Sequence, residues 1–171
     1  MQTVGLTALV EKLKLKNLTP DVDMSNIAIT TPNINRPALQ LAGYFDHFAS
    51  DRVQIIGYVE YTYLKHLSSE KRVPIYERFL SSEIPCVIFS SRTEPDEEFL
   101  ELAIKYNKPL LASDQETSPF MAEIIRALST MLAPCISIHG VLVDVYGEGV
   151  LLMGESGVGK SEAALELVKR G

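Results

Sequence analysis

The chain has little cysteine, no long apolar run and no concentration of basic charge, and each shortage removes a class of protein. Its two cysteines, Cys86 and Cys135, stand far apart with no C-x-x-C pair. Neither a zinc site nor a disulfide framework is indicated, and reduced thiols in the cytoplasm are the simplest expectation. No apolar stretch approaches the roughly 18 residues that a membrane helix needs. The opening residues, Met1-Gln2-Thr3-Val4-Gly5-Leu6-Thr7, also lack the basic start and apolar stretch of a secretory signal. Membrane spanning and secretion are therefore not expected. The net charge is -6, and the nearest thing to a basic stripe is Lys12, Lys14 and Lys16, which reads as a solvated helix end. A nucleic-acid role is not expected either. The sequence carries no internal repeat and no low-complexity segment.

What is present is 171 residues that are 46% hydrophobic and 22% charged, enough to bury a sizeable core. Residues 7–15 alternate Leu9, Val10 and Leu13 with Glu11, Lys12 and Lys14, the pattern of a short amphipathic helix, with Thr7 placed to cap it. Ile27-Ala28-Ile29-Thr30 reads as a strand, followed by breakers at Pro32 and Pro37. Three further strands are expected at Val53-Gln54-Ile55-Ile56-Gly57, Pro85-Cys86-Val87-Ile88-Phe89 and Pro109-Leu110-Leu111-Ala112. Helical stretches over 58–81 and 95–107 separate them, and strands alternating with helices predict an α/β unit built on a mainly parallel sheet. The acidic run Glu94-Pro95-Asp96-Glu97-Glu98 suits a helix N-terminus, where carboxylates favour the dipole. The longest helical pattern runs from Glu116 to Met131, with Phe120, Ile124, Ala127, Leu128 and Met131 on one face and Pro134 beyond its end. Phe45, His47, Tyr58, Tyr61, Tyr63 and His66 have no chemical company in the sequence and read as packing or surface residues.

Past Pro134 the character changes. Ile136-Ser137-Ile138, Val141-Leu142-Val143-Asp144-Val145-Tyr146 and Gly147-Glu148-Gly149 read as β-rich and hairpin-like. The expected organisation is an amino-terminal α/β domain over 1–130. A second domain is expected to start at 131–171, with its first strands, a loop and a helix; the rest of its core is expected beyond residue 171.

That second part holds the most specific signal in the chain. Gly154-Glu155-Ser156-Gly157-Val158-Gly159-Lys160-Ser161 matches G-x-x-x-x-G-K-[ST]. A polyphosphate concentrates negative charge in a small volume, so the chain around it must offer many donors at close range. Glycines at 154, 157 and 159 permit backbone angles that turn successive N–H groups inward, backed by the positive end of the helix that follows. Lys160 is expected to reach the β- and γ-phosphate oxygens of ATP. The Ser161 hydroxyl is expected to supply one oxygen to a Mg²⁺ bridging them. The apolar Val150-Leu151-Leu152-Met153 before the loop and the helical Ser161-to-Arg170 stretch after it give the strand, loop, helix context that distinguishes a phosphate site from a glycine-rich turn.

His139-Gly140-Val141-Leu142-Val143-Asp144, running through the strand residues into Gly154–Ser161 and Glu162, resembles the bacterial HPr kinase/phosphorylase family. Arg36-Pro37-Ala38-Leu39-Gln40-Leu41-Ala42-Gly43 and Arg52-Val53-Gln54-Ile55-Ile56-Gly57 with Glu60 are similar to that family's amino-terminal domain, so the resemblance spans the whole chain. It implies an enzyme that uses ATP and Mg²⁺ to phosphorylate a serine of the phosphocarrier protein HPr, runs in reverse with inorganic phosphate, and serves carbon catabolite regulation. It further implies a homohexamer, with His139 and Lys160 at catalytic positions and Gly154, Glu155, Ser156, Gly157, Val158, Gly159, Lys160 and Ser161 holding the nucleotide. Ser161 would be a metal ligand. In the family a carboxylate beyond the loop helix takes the serine proton. None is in place here, Asp144 and Glu155 being the nearest candidates for that base, so these 171 residues alone are expected to be inactive. The residues themselves leave two other readings open: a phosphate-loop kinase or ATPase of other specificity, and an amino-terminal binding or assembly module.

Overall fold

Alternating apolar strands and amphipathic helices must bury the sheet on both faces, and the arrangement follows from that requirement. The computed structural model describes residues 2–170. Two separate units result, one reaching Ala133 and the other starting at Pro134. In chain order the first contains β1 (Val4–Gly5), α1 (Leu6–Leu13), β2 (Lys16–Asn17), β3 (Ala28–Ile29), β4 (Ile34–Asn35), α2 (Ala38–Leu41) and β5 (Val53–Ile56). It continues through α3 (Tyr58–Lys65), α4 (Ser69–Leu80), β6 (Val87–Phe89), α5 (Glu97–Lys105), β7 (Leu110–Ala112) and α6 (Thr117–Met131).

The main sheet has the order β2-β7-β6-β5-β4. Its three pairings from β4 to β7 are parallel, and β2 joins β7 antiparallel at one edge. Side chains alternate across a strand, so neighbouring residues feed opposite layers. Ile56, Val87 and Phe89 pack with Tyr61, Leu64, Tyr76, Phe79 and Phe99 from α3, α4 and α5. Val53, Ile55, Cys86 and Ile88 pack on the other side with Leu6 and Leu9 of α1 and with Phe120, Ile124 and Leu128 of α6. The result is a three-layer α/β unit with a mostly parallel sheet. Phe99 is the hub of the first layer: its ring meets Tyr76 at 4.7 Å and Phe89 at 5.4 Å, both edge to face.

Several local expectations are refined. The helical pattern over 58–81 is two helices, because Ser68 takes extended angles (φ -66°, ψ 154°) and restarts the chain as α4. Thr7 is not the cap of α1: Gly5 occupies that place and no side chain accepts there. The strand near Ile29 lies outside the main sheet, paired antiparallel with β1. Lys16 sits in edge strand β2 instead of at a helix end. The acidic run does begin a helix: Asp96 Oδ1 accepts from the Phe99 N–H at 2.9 Å, and its Oδ2 accepts from the Tyr76 hydroxyl at 3.1 Å. Arg36 and Glu60, from the two amino-terminal stretches that carry the family likeness, form an ion pair joining the chain after β4 to the first turn of α3. Beside it Gly57 has no room for a side chain, since a Cβ there would meet Thr117 Oγ1 at 2.6 Å and Glu60 Oε2 at 3.1 Å.

The second unit contains β8 (Gly140–Val145), β9 (Glu148–Met153) and α7 (Lys160–Arg170). Ile136-Ser137-Ile138 has no regular structure and is well exposed. β8 and β9 form an antiparallel hairpin with Val145 opposite Glu148 and Gly140 opposite Met153. Its two-residue connection, Tyr146-Gly147, has positive φ at both residues (54° and 84°), the geometry whose twist matches a hairpin.

Candidate functional site

Hairpin register decides where His139 goes. With Gly140 opposite Met153, the residue before β8 and the residue after β9 emerge at the same end, so His139 stands at the mouth of the loop that Gly154 opens. The far end of the hairpin is about 17 Å away at strand rise. Asp144 belongs there: its Oδ1 accepts from the Gly147 N–H at 2.8 Å and shapes the turn. Of the two acidic residues considered for proton transfer, Asp144 is thus committed to the hairpin turn, whereas Glu155 borders the loop.

The loop itself wraps a cavity of about 640 Å³ lined by His139, Gly140, Gly154, Glu155, Ser156, Gly157, Gly159, Lys160, Ser161 and Glu162. All the residues singled out from the sequence come together there except Val158, whose side chain is exposed and lies against Gly154 on the outside of the turn. Gly157 (φ 84°) and Gly159 (φ 90°) take left-handed angles that a side chain would strain. The Gly159 carbonyl accepts from the Ala163 N–H at 2.9 Å and starts α7, so the loop ends directly on a helix N-terminus. Lys160 Nζ turns back over the loop and donates to the carbonyls of Gly154 at 2.8 Å and Glu155 at 2.6 Å.

Two lining residues, Gly140 and Glu162, were not read as site residues from the sequence. Gly140 is placed by the hairpin register, which no local pattern reveals. A Cβ on it would meet the Leu151 side chain at 2.8 Å and the Leu152 carbonyl at 3.0 Å, so the strand closes tightly beside the mouth. Glu162 reads as an ordinary surface position of an amphipathic helix. Its carboxylate instead folds back over Gly159, with Oε2 only 2.9 Å from where a Cβ of that glycine would stand.

Chemically the arrangement offers backbone donors, a mobile ammonium and a hydroxyl at the first helical turn, which are the elements that hold a polyphosphate and its cation. A magnesium ion fits this donor set: it binds through one or two protein oxygens plus substrate phosphates and keeps several waters. Ser161 lies on the cavity wall where such an oxygen is needed. The described residues contain no group of three or more His, Cys, Asp or Glu side chains able to hold a metal by themselves. No described helix is long and apolar enough to cross a membrane.

Comparison with known proteins gives the same family for both units. The model of the HPr serine kinase N terminus matches residues 4–128, and that of the HPr serine kinase C-terminal domain matches residues 130–171. Among curated proteins, an HPr kinase/phosphorylase of Lachnoclostridium phytofermentans is 56% identical over 171 residues, covering 100% of this chain and 55% of its own length. One of Caldicellulosiruptor bescii is 51% identical over 169 residues, covering 99% of this chain and 54% of its own length. The chain therefore spans about half the length of the curated relatives it matches. Among solved structures, the CBS and DRTGG domains of the regulatory region of a Clostridium perfringens pyrophosphatase align with a TM-score of 0.44 at 14% identity. That alignment covers 71% of this chain and 45% of the other, a likeness too distant to support any inference.

Proposed function

The chain belongs to the HPr serine kinase family, and from that premise we propose that its protein is an ATP-dependent HPr kinase/phosphorylase acting in the cytoplasm in carbon catabolite regulation. The observation that carries the reading is the convergence of His139 with the glycine loop on one cavity. Loop amides, the α7 N-terminus and Lys160 hold the nucleotide phosphates. To reach them the ammonium exchanges its two neutral carbonyl acceptors for charged phosphate oxygens, a stronger partnership. Ser161 would supply an oxygen to a magnesium ion, which would offset the phosphate charge that builds during transfer.

In the forward direction a serine hydroxyl of HPr attacks the γ-phosphorus of ATP. The new O–P bond forms as the bond to ADP breaks, and the serine proton passes to a carboxylate that family likeness places beyond α7. In reverse, inorganic phosphate attacks the phosphoserine and leaves pyrophosphate while the serine recovers its proton. His139 at the cavity mouth is in position to hydrogen-bond the incoming phosphate or the γ-phosphoryl oxygens. The proposal extends to a homohexamer, as the family resemblance implies, and to two domains meeting near residue 130.

The test is to express the protein at the full length of its curated relatives and incubate it with HPr, ATP and magnesium. The expected result is phosphoserine on HPr that is removed again when inorganic phosphate replaces ATP, with pyrophosphate released. His139→Ala is expected to change the pH profile of the reverse reaction. ATP hydrolysis without any HPr modification would contradict the proposal.

A further inference from the structure

Two carboxylates line the phosphate cavity, those of Glu155 and Glu162, and the proposed chemistry gives neither a task. Resting on the reading of this loop as a nucleotide site, we propose that Glu162 makes the site selective for metal-complexed nucleotide by rejecting the bare polyphosphate.

The argument starts from placement. Glu162 is the third residue of α7, the position from which a Glu side chain reaches back towards the residue before the helix. Here that residue is Gly159, and the carboxylate lies over it, at the end of the loop where Lys160 and Ser161 begin the helix. The same carboxylate forms part of the cavity wall. Gly159 takes a left-handed φ of 90°, and the end of the Glu162 side chain occupies the space beside it.

Charge supplies the second step. The cavity wall carries the carboxylates of Glu155 and Glu162 against the single ammonium of Lys160. Metal-free ATP brings about four further negative charges to that wall, and like charges brought close together repel even in a well-solvated site. A divalent cation on the phosphates would offset half of that charge, and a carboxylate on the cavity wall would be a favourable acceptor for the waters such a cation keeps. Glu162 therefore penalises one form of the ligand and tolerates or favours the other. Glu155 follows Gly154 in the loop, two residues before Gly157, the first of its positive-φ glycines.

Calorimetric titration of the full-length protein with ATP, once with excess magnesium and once with EDTA, separates the two forms. Glu162→Gln keeps the shape and the capping reach of the side chain while removing its charge, so a change in folding is not expected to mask the result. The expected outcome is roughly a fivefold gain in affinity for metal-free ATP with less than a twofold change for the magnesium complex. Glu166→Gln, which removes the same charge from α7 away from the cavity wall, is expected to move both affinities less than twofold. An unchanged ratio in Glu162→Gln would overturn the inference, and so would an equal shift in Glu166→Gln, because that would make the effect one of net charge alone. If the unmodified protein binds neither form, the nucleotide reading of the loop falls first and this inference falls with it.

Discussion

The two units treat their apolar side chains in opposite ways. In the first, Tyr76, Phe79, Phe89, Phe99 and Phe120 are fully enclosed, each between the sheet and a helix layer. In the second, Leu142 is 71% exposed, Leu165 60% and Val168 66%, and among the described residues only Val143 and Ala164 are buried apolar side chains; the chain spans about half the length of its curated relatives. The first unit is a closed hydrophobic structure whose residues are explained by packing. The second is a hairpin, a loop and a helix, and the proposed nucleotide chemistry concerns its loop residues. Stability experiments should thus strike the first unit, and ligand experiments the second.

The largest effect is expected at the aromatic hub. Phe99→Ala removes a ring packed edge to face on two others and should cost about 3–5 kcal/mol of the first unit's stability, read from its chemical denaturation. At temperatures where the variant stays folded, its ATP affinity should be unchanged. A loss of affinity as large as the loss of stability would show that the two units do not divide their tasks as argued.

Alkaline pH should separate the units next. Burial pushes the Cys86 thiol up to about 12 from its ordinary 9.0. Burial also raises the phenols of Tyr61 and Tyr76, the neighbouring Asp96 carboxylate adding to it. For each of these groups the folded state favours the proton more than the unfolded state does. Their contribution is complete below the unfolded value and is lost as pH rises through the folded one. For Cys86 that window runs from about 9 to about 12, at up to about 1.4 kcal/mol per pH unit. Melting temperature should hold at neutral pH and fall above pH 9. A thiol reagent at neutral pH should label exposed Cys135 at once and Cys86 only as the first unit unfolds. Equal labelling rates in the folded protein would break the comparison.

The smallest effect is expected within the loop. Val158 stands outside the cavity, so Val158→Ala should alter ATP affinity less than twofold in a titration. A larger change would mean that the outside of the turn also shapes the phosphate site.

The sequence made the two units unequally legible, and the physical cause is sequence separation. The core strands could be read because Val53–Ile56 and Val87–Phe89 are buried on both faces and are therefore apolar throughout except at the buried Gln54. The two-residue strands could not: Asn17 pairs with Leu111 across more than ninety residues, and nothing local in Lys16-Asn17 announces that partner. The break at Ser68 was hidden because the helical pattern continues in phase through it. For the site, the loop was legible since its glycines, Lys160 and Ser161 are contiguous and each is demanded by phosphate geometry. Glu162 escaped notice because exposure and charge on a helix are ordinary. The role proposed for it rests on a side chain folding back on Gly159, a contact that no local pattern announces.

The central claim is that the loop at 154–161 holds a nucleotide through Lys160 while the first unit supplies a self-sufficient core. Titrating ATP and magnesium into the full-length protein and into Lys160→Ala, with the melting temperature of each recorded alongside, tests it most directly. Lys160 makes only exposed bonds to loop carbonyls, so its loss should leave melting within about a degree while ATP affinity falls on the order of a hundredfold. Equal ATP affinity in the two proteins would contradict the account.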